Sequence, residues 1–290
     1  MNYSKKLGEK LGRVGVWSGE LRGGDPAERA EAIAEVEAVG YRAIWIPGGG
    51  AADFLDIVDA LLTASRSAVI ATGIINVWRV GAPQVVAWWK QLPPEHRTRL
   101  LLGLGISHGP MIGADYSRPV TTMKAYLDGL DAGGPPAEHR CLAALAPKML
   151  ELARDRTAGS HPYLVPPEHT AIARERLGPN ALLAPEQTVV LETDPGRARE
   201  IARSALGVYL KLPNYVNNWR RLGFSEEDVT TPSDRLIDAI FAWGTPEAIG
   251  TRVKAHLDAG ADHVCLQVVR HEDDRKGYPR QAWRDLAHLL

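Results

Sequence analysis

The sequence predicts one (β/α)8 barrel over residues 1–290, and three observations predict it. Eight short apolar runs alternate with segments of helical spacing along the whole chain. The runs are continuous rather than alternating apolar and polar, as in parallel strands buried on both faces. A length of 290 residues suits such a barrel plus an insertion, since about 250 residues is usual.

The first strand is Arg13–Trp17, followed by a Gly-rich turn. Asp25-Pro26 then opens a helix, with Asp as N-cap and Pro at the first helical position. Ala30, Ile33, Ala34, Val36 and Ala38 form its expected apolar stripe, and Gly40 stops it. Ala43–Ile46 is the second strand, ended by Pro47-Gly-Gly-Gly50. A helix over Asp53–Ala64 turns Phe54, Ile57, Val58, Leu61 and Leu62 inward. Ala68–Ile75 is the third strand and Pro83–Gln91 the next helix. The fourth strand, Leu100–Ile106, stops in the polar cluster Ser107-His108-Gly109 and precedes a helix over Pro119–Leu130. Cys141–Leu145 runs straight into the helix Pro147–Ala153. Gly159–Val165 is the sixth strand, with a helix over Pro167–Leu177; Thr188–Glu192 is the seventh, and Asp194-Pro195 starts another helix. The helix Thr245–Ala259 precedes the eighth strand, His263–Val269. The crossover before that strand is about seventy residues long, against ~30 for a usual unit. Its excess, about residues 212–243, reads as helical: Leu212–Phe224 is rich in Tyr, Trp and Asn, and a helix follows over Asp234–Trp243. A lid or a dimer surface is the expectation, not a second domain.

Composition narrows the function. There are 34 basic and 35 acidic residues, spread evenly for a formal charge of −1, which points to no nucleic-acid or anionic-membrane partner. Cys141 and Cys265 each lie in an apolar run and read as buried free thiols, fitting a reduced, cytoplasmic setting. The first ten residues lack a signal-peptide core, and no run approaches the ~20 apolar residues that span a bilayer.

Gly105-Ile-Ser107-His-Gly109 matches the pentapeptide of a serine hydrolase's nucleophile elbow. However, Met111–Pro119 does not read as the helix that an elbow requires. Asp262, His263 and His271 follow in the right chain order, but Asp262-His263 opens the last strand, at the opposite barrel end. A dinucleotide fingerprint fails because His108 stands where the third glycine of Gly103-Leu-Gly105 should come. Gly48-Gly-Gly50 lacks the Lys and Ser/Thr of a P-loop. None of the nine histidines has metal-ligand spacing, so no metal is expected.

What remains is a set of residues at the carboxyl ends of successive strands, where barrels of this kind hold ligands. These are Trp17 and Ser18; Pro47 and Gly48; Gly73, Asn76 and Trp78; Ser107 and His108; Ala146, Pro147 and Lys148; His161 and Tyr163. Ala146 before Pro147 at a helix start leaves backbone N–H groups open to an anion, with Lys148 adding charge. Each has a plain structural alternative: Trp17, Trp45 and Trp78 as core aromatics, His161 as a turn brace.

Several blocks resemble the luciferase-like superfamily of flavin- and deazaflavin-dependent oxidoreductases. They include Gly12–Gly19, Trp45–Gly50, Ala71–Asn76, Leu101–His108, Pro147–Ala153, His161–Thr170, Leu212–Phe224 and Gly260–Gln267. Within it, the sequence is similar to an actinobacterial group of probable coenzyme F420-dependent oxidoreductases. The resemblance implies hydride transfer between C5 of the deazaflavin and a small organic substrate, across the carboxyl rim of a homodimeric barrel. It also implies a non-proline cis peptide near Gly73-Ile74 and a phosphate region at Ala146-Pro147-Lys148 and the loop after Ser107. Cofactor contacts are then expected from Trp17, Pro47, Gly73, Ile74, Asn76, Gly105, Ser107, Ala146, Pro147, Lys148, His161 and Tyr163. One departure stands out. A sugar-phosphate dehydrogenase branch ends its second strand in Asp-His, where Gly48-Gly49 stands here, and has a Glu where His108 stands. His108, with an ordinary pKa near 6.5, is the expected proton donor. FMN with O2, and a non-catalytic cofactor-binding barrel, are the alternatives.

Overall fold

The computed structural model describes residues 2–48 and 53–290. Its strands are β1 (Val14–Trp17), β2 (Ala43–Ile46), β3 (Val69–Thr72), β4 (Ile75–Asn76), β5 (Leu100–Gly105), β6 (Arg140–Leu142), β7 (Gly159–Ser160), β8 (Leu182–Leu183), β9 (Glu186–Val190), β10 (Phe241–Trp243) and β11 (Val264–Val268). Every pairing is parallel, and the neighbours run β9-β11-β1-β2-β3-β5-β6-β7-β8. β8 and β9 are two halves of one barrel strand, parted at Ala184-Pro185. The first half pairs with β7 and the second with β11, so the ring closes as an eight-unit (β/α) barrel. Pro185 lacks an N–H for the ladder, but its carbonyl still accepts from Cys265 N.

Helices cover the outside. Asp25 caps Pro26–Ala38 by accepting from the N–H groups of Ala27 and Glu28, as its sequence position demands. The stripe that helix buries is Ala32, Ile33 and Val36; Ala34 and Ala38 face solvent. Phe54–Ala64 buries Phe54, Leu55, Val58, Leu61 and Leu62, with Ile57 at the margin. The barrel interior is a separate, narrow core that includes Trp17, Trp45, Leu101, Cys141, Leu182 and Cys265. Both cysteines are buried free thiols.

Four expectations need correction. The seventh strand begins at Leu182 rather than Thr188 and ends at Val190, because the Pro185 break masks its first half. Asp234–Trp243 is not one helix: it turns at Phe241 into β10, which adds a parallel strand outside β9. Part of Met111–Pro119 is helical, since Gly109–Ile112 forms a single turn and Gly113–Asp115 a 3-10 turn. The fourth is an omission. A helix over Tyr3–Leu11, capped by Asn2, inserts Leu11 into the interior core with Leu7 one turn away, where apolar surface at the amino end needs a cover.

Between β9 and β11 lie the helices Pro213–Arg221, Glu226–Thr230 and Asp234–Ile240. They build their own core around Trp219, Phe224, Leu236, Ile237 and Phe241, with Leu164 from the barrel side. No helix among the described residues is long and apolar enough to cross a membrane.

Candidate functional site

The segment after β3 shapes the carboxyl rim, and glycines make room for it. The Gly73-Ile74 peptide is cis, at the position expected. A Cβ on Gly48 would lie 1.6 Å from the Ile74 carbonyl oxygen, and one on Gly103 would lie 1.9 Å from the Thr72 carbonyl oxygen. Gly105 makes room for the Ile74 side chain, whose Cδ1 would be 2.3 Å from an added Cβ. The Ile74 carbonyl therefore fills the place that any side chain at position 48 would take. Gly49 lies outside the described residues.

Above this segment opens a cavity of about 530 Å3. Ile74, Gly105, Ser107, His108, Ala146, Pro147, Lys148 and Tyr163 line it, eight of the thirteen residues expected at the site. The other five do not. Asn76 is buried, and its Oδ1 accepts from the N–H of Trp78 to brace the turn. Pro47 does not reach the cavity. Trp17 and His161 are buried beside Gly73, where an added Cβ would lie 2.6 Å from Trp17 Nε1 and 2.9 Å from His161 Nε2. Gly73 itself is partly exposed beside Ile74.

Below His161 the barrel axis is a column of rings. His161 stacks on Trp45 at 4.2 Å between centroids. Trp45 Nε1 donates to His263 Nε2 at 3.0 Å, and His263 Nδ1 donates to the Gly12 carbonyl at 2.7 Å. His161 Nδ1 in turn donates to the Ala184 carbonyl at 2.7 Å. Burial holds both imidazoles down to about 4, so they are neutral braces of the interior at neutral pH.

Residues that sequence reasoning missed complete the walls: Tyr116, Pro119 and Val120 after β5, and Asn214, Tyr215, Asn217 and Arg221 from the helix Pro213–Arg221. The signal was regional. Leu212–Phe224 is rich in Tyr, Trp and Asn beside the rim, but no periodicity says which side chains turn inward. Asn214 Nδ2 donates to the Ser107 carbonyl at 3.0 Å, and the Tyr215 ring lies 5.1 Å from that of His108. An aromatic wall continues from Tyr215 through Tyr209 and Tyr163 to Trp17, with centroids 5.3–5.6 Å apart at each step. Tyr163 donates to Gln267 Oε1 at 2.7 Å, and its hydroxyl lies 3.0 Å from that of Tyr209. Beneath them Glu186 is fully buried; burial pushes its carboxyl up to about 7. Thr188 Oγ1 and the Leu164 N–H donate to it.

Burial lowers the His108 imidazole to about 4 rather than leaving it near its ordinary value. It is neutral at pH 7, and its buried Nδ1 has no hydrogen-bond partner among the described residues. Ser107 has a left-handed backbone, φ 58°. Its neighbours still do not make a triad, because Asp262 and His263 serve the amino end: Asp262 receives Arg174 and the Leu183 N–H. His271 caps a turn after β11.

No protein-family model matches the chain, and none of the curated proteins compared with it matches. Solved structures do. An F420-dependent secondary alcohol dehydrogenase in complex with an F420-acetone adduct is similar with a TM-score of 0.71 at 14% identity, over 96% of this chain and 98% of that one. A coenzyme F420-dependent tetrahydromethanopterin reductase from Methanopyrus kandleri gives 0.67 at 14%, over 94% and 96%. The oxygenating constituent of 3,6-diketocamphane monooxygenase from Pseudomonas putida, in complex with FMN, gives 0.63 at 13%, over 95% of each chain. At this distance the likeness establishes architecture: the chain has, end to end, the barrel fold of these three proteins.

Proposed function

We propose that the chain is a coenzyme F420-dependent oxidoreductase that transfers a hydride between the deazaflavin and a small organic substrate. One observation carries the reading. The rim cavity combines an apolar and aromatic body with Lys148 and Arg221, and no described residue of its lining is a carboxylate. That is a receptacle for a flat, poorly polar ring system bearing an anionic tail. Its volume of about 530 Å3 lies within the range of cofactor pockets. The neighbours named for F420 support this ligand, and the FMN-bound neighbour supports the same ligand chemistry.

When bound, F420 supplies the hydride at C5 of its ring. The protein's part is to hold, orient and shield. Ile74 and Gly105 give a close backbone floor, and Tyr163 and Tyr215 give aromatic faces. The backbone N–H groups of Ala146 and Lys148, on either side of Pro147, which has none, would receive an anion. Neutral His108 lines the cavity; its ring would accept or donate one hydrogen bond rather than deliver a proton from a standing cation.

Titration of the protein with F420 and with FMN, followed by fluorescence, tests the reading. Saturable F420 binding, with oxidation of reduced F420 by a member of an enone, imine and nitro-compound panel, is expected. Tight FMN binding without F420 binding would turn the assignment to a flavin monooxygenase. Binding of F420 with no acceptor reduced would make the protein a cofactor-holding barrel.

A further inference from the structure

We propose that the helical insertion supplies the second jaw of the anion site. Arg221, on the last turn of Pro213–Arg221, and Lys148, at the start of Pro147–Arg156, close on the cofactor's phosphate from opposite walls. This rests on the reading above and adds a residue and a coupling to it.

Among the described residues, Arg221 and Lys148 are the two formal charges in the lining of one cavity, and no carboxylate there answers them. Neither forms an ion pair with any described residue, whereas Arg199, Arg203, Arg220 and Arg235 of the surrounding helices each do. Among the described residues, the Arg221 guanidinium donates to Asn218 Oδ1 at 3.1 Å and to no other. Arg221 also stands beside the barrel wall. It shares the cavity lining with Leu145, Ala146 and Pro147. Leu145 immediately precedes the Ala146 N-cap of Pro147–Arg156, so the guanidinium and the free N–H end of that helix face the same space. Two contacts among the described residues tie this helix to the rim of β5: Asn214 to the Ser107 carbonyl, and Tyr215 against His108. A bound phosphate adds a charge-assisted bridge between insertion and barrel, so anion occupancy fixes the insertion over the cavity.

The test compares F420 with its phosphate-free deazaflavin nucleoside, with inorganic phosphate as a separate probe. Wild type is expected to bind the phosphorylated form about tenfold to a hundredfold tighter. In Arg221→Met that preference collapses while affinity for the phosphate-free ring stays the same, and Lys148→Met behaves alike. Hydrogen exchange over residues 213–221 is expected to slow with F420 in wild type and not in Arg221→Met. Equal loss of both ring forms in Arg221→Met, or no preference in wild type, overturns the proposal. Slowing by inorganic phosphate on top of bound F420 also overturns it, because the jaw then grips a substrate's phosphate. If neither ring form binds but phosphate alone slows exchange in wild type only, the jaw stands and the cofactor reading falls. If phosphate does nothing either, both fall.

Discussion

Replacing Gly48 by alanine adds a single methyl group at the end of β2, and the structure says where it would go. Its carbon would lie 1.6 Å from the Ile74 carbonyl oxygen and 2.9 Å from the Ile75 nitrogen. A carbon and a carbonyl oxygen make contact at about 3.3 Å, so a gap of roughly 1.7 Å would have to open between two buried backbones. Flexible side chains absorb such intrusions, but backbone held on its other side does not. Here the Ile74 side chain already lies over Gly105, and the Thr72 carbonyl lies against Gly103. The segment cannot retreat toward β5 without meeting those contacts. The cost therefore belongs at or above the top of the overpacking range, about 3 kcal/mol. For a chain of this size that amounts to a melting temperature lower by about 5 °C.

The assay is thermal and urea unfolding of Gly48→Ala against wild type and Gly23→Ala. Gly23 has nothing within 4 Å of an added Cβ and an extended φ of −129°, so its variant should stay within about 0.5 kcal/mol of wild type. Because Ile74 lines the cavity, Gly48→Ala should also lose ligand affinity. A Gly48→Ala protein that melts within a degree of wild type would refute the reasoning. An acid–base side chain could then occupy this position, and the glycine would need another explanation.

Four further outcomes follow from the same geometry. Arg174→Met should cost about 2–4 kcal/mol in urea unfolding, since its guanidinium donates to the carbonyls of Gly178, Ala181 and Gly260 and to Asp262 at the amino end. Stability should fall as pH drops from about 6.5 toward 4. Burial lowers His108, His161, His169 and His263 to about 4 and His256 to about 3. The unfolded chain therefore binds protons there that the native one does not, at up to about 1.4 kcal/mol per pH unit for each imidazole. Glu186, raised to about 7, opposes one of the five, because its contribution is lost as pH rises through about 4.5 to 7; a flat urea midpoint between pH 7 and 5 would contradict the balance. Tyr163→Phe should lose about 0.5–1.5 kcal/mol from the bond to Gln267 and keep its fold by circular dichroism. Finally, a fluorophosphonate should leave Ser107 unlabelled by mass spectrometry, because no described residue activates its hydroxyl.

The barrel was legible because its signals are local. Continuous apolar runs mark strands buried on both sides, and Asp25-Pro26 and Thr245-Pro246 cap their helices as sequence rules require. The break at Pro185 was missed because a two-residue strand has too few side chains to show a pattern. Tyr3–Leu11 was missed because its partner, the open amino end of the barrel, exists only after folding. His161 shows a further limit. Strand position placed it at the rim, but its ring turns inward to stack on Trp45, a choice that depends on the interior volume and not on neighbouring residues.

The candidate site divides along the same line. Its backbone parts, Gly105, Ser107 and Ala146-Pro147-Lys148, follow from strand order and were readable, since a parallel barrel brings all carboxyl ends to one mouth. Its side-chain parts, Tyr116, Asn214, Tyr215 and Arg221, come from segments that a barrel does not need in order to fold. A surface arginine on a short helix looks the same in sequence whether it meets a carboxylate, as Arg220 meets Glu226, or faces a cavity without one, as Arg221 does. Only the fold separates these two adjacent residues. The cost of holding like charges together at the cavity then makes the difference chemical. Two cations with no protein anion between them are most stable when a ligand supplies the negative charge, so the insertion that carries Arg221 is suited to recognise that ligand as well as cover it.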